Sequence, residues 1–147
     1  MSVLPSPEKL AKAVSQVTST MLGFHVTATT RPDGHLFWRT AVLSIAGAKP
    51  WTVALSSNQA GCQVLGAAMF ACTPATVEPS MIDDSLCELV NMTAGQMRAL
   101  LALDQALGLP RVGAGAGPVP VDQEGWKRLV LASGTIEIVL SLINRSY

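Results

Sequence analysis

Three polar residues recur along one predicted helix at a spacing that could serve chemistry: Asp84, Glu88 and Asn91. Gly95, Arg98 and Ala102 continue the same stripe. Positions three and four residues apart lie on the same side of a helix, so this stripe faces outward together. An ionised carboxylate only accepts hydrogen bonds, whereas an asparagine amide also donates them and does not titrate near neutral pH. Such an amide can orient a water molecule. The same stripe also fits an ordinary solvated helix face.

The helix that carries this stripe is predicted to span 83–107 and to be closed by Gly108 and Pro110. Asp83 and Asp84 would then lie at its amino terminus, which favours acidic side chains. Gly95 falls in mid-helix, where glycine costs about 1 kcal/mol relative to alanine. A missing side chain there would let a partner approach closely. The opposite face is apolar and is predicted to face the core: Ile82, Leu86, Leu89, Val90, Thr93, Met97, Leu100 and Leu101.

The remaining elements repeat one arrangement twice. A helix over 7–22 is followed by three strand patterns (alternation over 24–28, then 37–45 and 51–56) and a short helix over 58–70. The long helix is again followed by three strand patterns, over 109–113, 127–132 and 135–142. We therefore predict a single domain over 1–147 of the α+β class. Its strands would form one mostly antiparallel sheet with the long helices packed against it.

Composition excludes several classes of function. The 147 residues carry 10 acidic and 10 basic side chains, which argues against binding to nucleic acid or an anionic membrane. No run reaches the about 18 apolar residues of a membrane span, and the amino terminus does not resemble a secretory signal. A cytoplasmic protein is expected. Only 14% of the residues are charged, so apolar surface must be exposed, and a homodimer is expected.

No metal site is expected in this chain. Cys62, Cys72 and Cys87 lack the paired spacing of zinc ligands and are interpreted as buried thiols. His25 and His35 are isolated and are interpreted as surface or strand residues. The glycine-rich stretch 113–117 is followed by prolines rather than by a helix, so it is interpreted as a flexible connection and not as a nucleotide-binding loop.

The motif Asp84-x3-Glu88-x2-Asn91 resembles the active-site helix of the CheX/CheC/FliY chemotaxis phosphatases. Pro110 stands where that family has a distant proline, and the end of the first helix, 20–23, is similar to CheX. Two features depart from the family pattern. The interval from Asn91 to Pro110 is a few residues short, and Gln96 replaces an asparagine that often follows the glycine.

This resemblance implies a phosphatase that hydrolyses the aspartyl phosphate of a response-regulator receiver domain in chemotaxis or two-component signalling. It implies that Asn91 positions the attacking water and that Glu88 pairs with the receiver's lysine. Asp84 would cap the helix or aid docking, and Gly95 and Arg98 would contact the partner. The receiver would supply Mg²⁺, so no cofactor is expected in this chain. The alternative is a non-catalytic domain that docks receivers or flagellar switch proteins; an unrelated α+β interaction domain is the third possibility.

The first helix is predicted to lack a second copy of the motif. Aligning Met21 with Met92 places Ala13, Val17 and Thr20 at the three motif positions. None of these is a carboxylate or an amide, so the sequence predicts one site per chain, as in CheX.

Overall fold

The computed structural model describes residues 4–29 and 36–147, which leaves His35 outside the described residues. Within them the chain forms three α-helices, one short 3-10 turn (Pro74–Thr76) and six strands. In chain order the elements are α1 Pro7–Leu22, β1 Thr27–Ala28, β2 Arg39–Ile45, β3 Trp51–Ser57, α2 Gln59–Phe70, α3 Pro79–Leu100, β4 Arg111–Ala114, β5 Lys127–Ser133 and β6 Ile136–Ile143. None of these helices is both long and apolar enough to cross a membrane.

The six strands form one sheet in the order β1-β5-β6-β3-β2-β4, and each neighbouring pair is antiparallel. If β1, β2 and β3 exchange labels with β4, β5 and β6, respectively, the same strand order is obtained in reverse. That is the pattern expected when two equivalent units, each a helix and three strands, pool their strands about an approximate two-fold axis. The predicted α+β class, the repeated unit and the antiparallel sheet are confirmed.

The main core lies between the helices and one face of the sheet. Strand β6 alternates, so that Ile138, Leu140 and Leu142 face the helices. The α3 side chains buried there are Ile82, Ser85, Leu86, Leu89, Val90, Thr93, Ala94 and Met97. Most of the predicted apolar face is thus correct, but Leu100 is 40% exposed and Leu101 is half-buried. At the end of α3, Met97 is fully buried and Leu101 packs against the core, whereas Leu100 is partly exposed to solvent.

The opposite face of the sheet is covered by the segment between β4 and β5. Val119, Val121 and Trp126 from this segment pack on Val42 and Ala54. The glycine-rich stretch that precedes it is fixed as well: the Gly115 amide donates to Trp38 O at 2.8 Å, and its carbonyl accepts from Thr40 Oγ1 at 2.8 Å. The interpretation of 113–117 as a flexible connection is therefore wrong, because these residues direct an apolar cover onto the sheet.

Helix α3 begins four residues earlier than predicted. Pro79 occupies the first helical position, where its fixed φ suits the helix and its missing N–H is not needed. Asp84 consequently lies in the second turn, beyond the free amide groups of the helix end. The capping role considered for Asp84 is wrong, and its docking role stays a prediction.

Helix α3 also ends seven residues earlier than predicted. Ala102 adopts a left-handed conformation (φ 54°), its amide donates to Ala99 O at 3.2 Å, and the Leu103 amide donates to Arg98 O at 2.9 Å. This pair of bonds is the Schellman arrangement, which usually has glycine at the left-handed position. Because alanine stands there instead, the sequence gives no sign of the helix end, and residues 101–110 form an extended connection to β4.

Strand β1 is shorter than predicted. Thr27 pairs with Ala132 and Ala28 pairs with Leu131 of β5. In an antiparallel ladder, Val26 would pair with Ser133, the last residue of β5, and residues before Val26 would have to pair beyond it, where β5 turns into the hairpin with β6. They therefore leave the sheet, and Val26 packs into the core. The other strands match the prediction within two residues.

Exposed apolar side chains are spread over several elements. The large ones are Trp38, Phe70, Leu100, Leu109 and Tyr147, which are between 37% and 87% exposed. They belong to separate parts of the chain, and no second copy is present to show how they are used. The homodimer stays a prediction.

Candidate functional site

An open groove runs between α3 and the connection that leads from α3 to β4. Its α3 wall consists of Asp84, Cys87, Glu88 and Asn91, and its other wall consists of Leu107, Gly108, Leu109 and Pro110. The motif residues recognised in the sequence therefore do share one surface. One wall is polar and acidic, and the other is mostly apolar.

The motif side chains are available to a partner. Asp84 and Glu88 are exposed, and Asn91 is half-buried in the α3 wall of the groove. Among residues 4–29 and 36–147, the structure records no hydrogen bond to the side chains of these three residues. Two carboxylate acceptors and one amide thus face the groove with their hydrogen-bonding capacity unused, which suits the binding of a cation and of water.

The α3 wall is tied to the sheet by an ion pair. Arg39, the first residue of β2, donates from Nη2 to Asp83 Oδ2 at 2.8 Å and also donates from Nε to Oδ1. These hydrogen bonds raise the pKa of Arg39, so the guanidinium keeps its charge. The pair is partly buried and two-pronged, a geometry that fixes orientation as well as distance. It holds the helix turn next to Asp84 against the start of β2.

The opposite wall is anchored at the other end of β2. The Gly108 amide donates to Ser44 O at 2.7 Å, and Leu107 forms an antiparallel bridge with Ile45. A Cβ atom on Gly108 would lie 2.8 Å from Ser44 O, so only glycine permits this approach. Both walls are therefore positioned by β2.

Arg98 lies outside the groove lining. Its Nη1 donates to Gln105 O at 3.3 Å, so it ties the last turn of α3 to the connection that forms the second wall. This contact supports the groove from behind. The partner contact suggested for Arg98 in the sequence analysis stays a prediction.

Gly95 lies one turn beyond Asn91 and is also outside the groove lining. A Cβ atom built on Gly95 would meet nothing within 4 Å. The packing of this chain therefore does not require glycine at this position, although glycine destabilises the helix. A partner that approaches closely is one reason for a glycine there.

A second groove occupies the equivalent place in the first half of the fold. It lies between α1 and the segment leading into β1 and is lined by Ala11, Lys12, Ser15, Gln16, Ser19, His25, Val26, Thr27 and Ala28. His25 is exposed, and its Nδ1 is 3.0 Å from Ser15 Oγ. The described residues that line this second groove include the polar Lys12 and Gln16, and none of them is a carboxylate.

The second groove corrects the predicted alignment of the two helices. Ala13 and Val17 are buried in the core, so they are not the counterparts of exposed motif carboxylates. Shifting the alignment by one residue places Lys12 and Gln16, both exposed, and the half-buried Ser19 at the three motif positions. The original alignment matched two methionines, Met21 and Met92, whereas the buried positions of α1 and α3 correspond one residue away from that match. The α1 groove still lacks the glutamate and asparagine pair.

The interpretation of the three cysteines as buried thiols is correct only for Cys62, because Cys72 and Cys87 are half-buried. Burial raises the pKa of Cys62 to about 12. Burial also raises the pKa of Cys87, with Asp83 and Asp84 adding to the effect. Both cysteines are therefore protonated near neutral pH, and Cys87 carries its thiol inside the groove.

The family model described as chemotaxis phosphatase CheX matches residues 39–129. This match covers more than half of the chain and includes both walls of the groove. The chain belongs to the CheX family. No curated protein sequence matches the chain.

Solved structures share the fold at low sequence identity. The chemotaxis protein CheX from Vibrio vulnificus superposes with a TM-score of 0.71 at 17% identity, covering 92% of this chain and 94% of that one. The structure of a CheX–CheY–BeF3–Mg complex from Borrelia burgdorferi gives 0.63 at 12% identity, covering 96% and 99%. A chain of the FliM–SpeE complex from H. pylori gives 0.62 at 11%, covering 94% and 88%.

The loop wall of this CheX-family groove was not predicted from the sequence. Gly108 and Pro110 were named as the end of the helix and Pro110 as the family's proline, whereas both line the groove together with Leu107 and Leu109. The available signal was the glycine and proline that flank Leu109, since such residues often fix a tight backbone path. The hydrogen bond from the Gly108 amide to Ser44 O places this segment at the groove. It joins residues far apart in the chain, so it could not be predicted from the local sequence.

Proposed function

We propose that this CheX-family protein is a phosphatase for the aspartyl phosphate of a response-regulator receiver domain. The observation that carries the proposal is the placement of Glu88 and Asn91 in one open groove, with side chains that no described residue engages. A domain that only docks a partner has no need for this pair of a glutamate and a half-buried asparagine in one groove. Membership of a chemotaxis phosphatase family supports the same conclusion.

Asn91 is proposed to orient the attacking water. Hydrolysis of a phosphoryl group needs a water molecule in line with the bond that breaks, and it asks mostly for positioning and charge stabilisation. The Asn91 carbonyl accepts a hydrogen bond from the water, and its amide group donates to a phosphoryl oxygen. Because the side chain is half-buried on a helix tied to the sheet through Asp83, its position costs little to maintain.

Glu88 is proposed to pair with the receiver's lysine beside the phosphorylated aspartate. An exposed carboxylate one helical turn from Asn91 can reach a cation next to the same phosphoryl group. Asp84, one turn further, extends the acidic surface and would assist docking. Mg²⁺ belongs to the receiver, where it neutralises charge on the phosphoryl oxygens.

A second candidate function is a non-catalytic adaptor that docks receivers or flagellar switch proteins. The likeness of fold to a chain of the FliM–SpeE complex favours this alternative. An adaptor would bind a receiver equally well with or without the Asn91 amide, which separates the two functions experimentally.

The test is to mix the purified protein with the phosphorylated receivers of its organism and to follow phosphate loss. We expect one or a few receivers to lose phosphate faster than they do alone. The α1 groove supplies a control, since Gln16→Ala combined with Ser19→Ala should leave the rate unchanged. A receiver that binds the protein yet keeps its phosphate at the unassisted rate would favour the adaptor.

Gly95→Ala is expected to stabilise the free protein and to weaken receiver binding. The added methyl has space in this chain and should raise the free energy of unfolding by about 1 kcal/mol. If a receiver packs closely on this part of α3, the same methyl obstructs it. Chemical denaturation and receiver titration measure the two effects. A stabilised variant with unchanged receiver affinity would place Gly95 outside the interface.

Cysteine is expected to take no part in the chemistry. Cys87→Ala should retain activity, whereas alkylation of Cys87 by iodoacetamide should block the groove and abolish activity. Because its pKa is raised, the thiolate fraction of Cys87 keeps increasing at pH values where an ordinary thiol is already ionised, and so should the alkylation rate. Cys62, with a pKa of about 12, should stay unmodified in the folded protein. Mass spectrometry of the adducts checks both points. A folded Cys87→Ala protein without activity would contradict the expectation that cysteine takes no part in the chemistry.

A further inference from the structure

Leu109 is far more exposed than any other large apolar side chain in the described residues. It is 87% exposed, whereas the next, Phe70, is 43% exposed. Exposing a whole leucine side chain forgoes the free energy that burial would contribute. A single exposed leucine needs no explanation by itself, but this one lines the groove that contains Glu88 and Asn91.

The backbone around Leu109 is held in place on both sides. Before it, Gly108 donates to Ser44 O at 2.7 Å in a contact too close for any other residue. After it, Pro110 fixes its own φ, and Arg111 begins β4, where it pairs with Val42. Leu109 is therefore displayed from a backbone already ordered in the free protein, which lowers the entropy lost when a partner covers it.

The position of Leu109 selects one kind of partner. The α3 wall presents the carboxylates of Asp84 and Glu88, and the facing wall presents Leu109. A macromolecule that brings a reacting group to Asn91 must lie across both walls. Its complementary surface would combine a cation beside the reacting group with an apolar recess a short distance away.

We propose that Leu109 is the docking anchor for the phosphorylated receiver domain and that it inserts into an apolar recess beside the phosphorylation site. This inference rests on the proposed function, because it takes the receiver as the occupant of the groove. Leu109 touches the partner and not the reacting atoms. It should therefore set the affinity and the choice of receiver, while Asn91 sets the rate of the bound complex.

The experiment compares Leu109→Ser with two matched variants. Leu109→Met keeps apolar volume at the same place, and Leu100→Ser makes the same change at an exposed leucine outside the groove. Receiver binding is measured by titration with a receiver loaded with beryllofluoride and Mg²⁺, and turnover is measured at steady state. Thermal unfolding checks that each variant is folded.

Leu109→Ser is expected to raise Kd and KM at least about 10-fold, the scale of leaving one leucine side chain unburied. Its kcat should stay within about twofold, because the loss concerns binding made equally before and in the transition state. Leu109→Met should restore most of the affinity, and Leu100→Ser should match the parent.

The outcomes separate this inference from the proposed function. If Leu109→Ser binds the receiver like the parent while Asn91→Ala loses turnover, the docking inference is overturned and the phosphatase stands. If the parent binds a receiver without hydrolysing it and Leu109→Ser weakens that binding, the phosphatase is overturned and the anchor stands. A lower kcat with unchanged Kd would also overturn the anchor, since Leu109 would then act on the chemistry.

Discussion

Asn91→Ala is expected to slow dephosphorylation of the receiver by about 100-fold or more, the scale of losing one well-placed positioning or polar group. The reason is that the amide holds the attacking water, and alanine leaves that water without a fixed direction. Receiver affinity should change little, because the docking contacts are proposed to lie on Asp84, Glu88 and Leu109, which line the same groove. Single-turnover rates at saturating protein, together with titration of the beryllofluoride-loaded receiver, measure the two quantities separately.

The matched control for this variant is Ser19→Ala, at the equivalent position of the α1 groove. The Ser19→Ala protein should dephosphorylate the receiver at the same rate as the parent. Folding of the Asn91 variant should survive, since no described residue depends on a hydrogen bond from this side chain. If the Asn91→Ala protein dephosphorylates the receiver at the parent's rate, the proposed mechanism is wrong and the adaptor function is favoured.

Glu88→Ala is expected to reduce affinity and turnover together, by about 30-fold or more in kcat/KM. It removes one partner of a charge pair that becomes desolvated only in the complex, so the receiver's lysine is left without its counter-charge. Glu88→Gln keeps the shape and removes only the charge, and it should show most of the same loss. The salt dependence of receiver binding should weaken in both variants, because a screened attraction has been removed.

Glu8→Ala is the control for Glu88, since it removes an equally exposed carboxylate from the face of α1. Its binding and turnover should match those of the parent at each salt concentration. A Glu88→Ala variant with normal affinity but reduced kcat would contradict the charge pair. That result would indicate that Glu88, like Asn91, acts on the reacting atoms.

Much of the architecture was predictable because it depends on local regularities. The helix α1 was placed at both ends, since Pro7 suits a first helical position and Gly23 takes a left-handed conformation. The four strands of the hairpins β2–β3 and β5–β6 were predicted from their sequence patterns. The stripe of Asp84, Glu88 and Asn91 followed from helix geometry alone, and these side chains do share one groove. The roles assigned to them stay predictions.

The errors fall where a contact between distant residues decides the local structure. Helix α3 ends at Leu100 and not at 107 because Ala102 takes a conformation that alanine rarely adopts. Contacts made by the connection that follows α3 stabilise this conformation. Arg98 donates a hydrogen bond to Gln105 O, and the Gly108 amide donates one to Ser44 O. A strong apolar pattern beyond Leu100 does not prevent it.

The sequence by itself determined the element types, the antiparallel α+β class and the three polar residues that face one side of α3. Each depends on periodicity within one segment, which the local order of residues specifies. Only the tertiary structure decided what stands opposite that face, because both walls of the groove are positioned by β2, far away in the chain. It likewise decided that Leu109 is exposed at the groove and that Lys12, Gln16 and Ser19, and not Thr20, occupy the equivalent α1 surface. The exposure of a side chain in a connection, such as Leu109, is set by packing between elements, and no helix or strand periodicity predicts it.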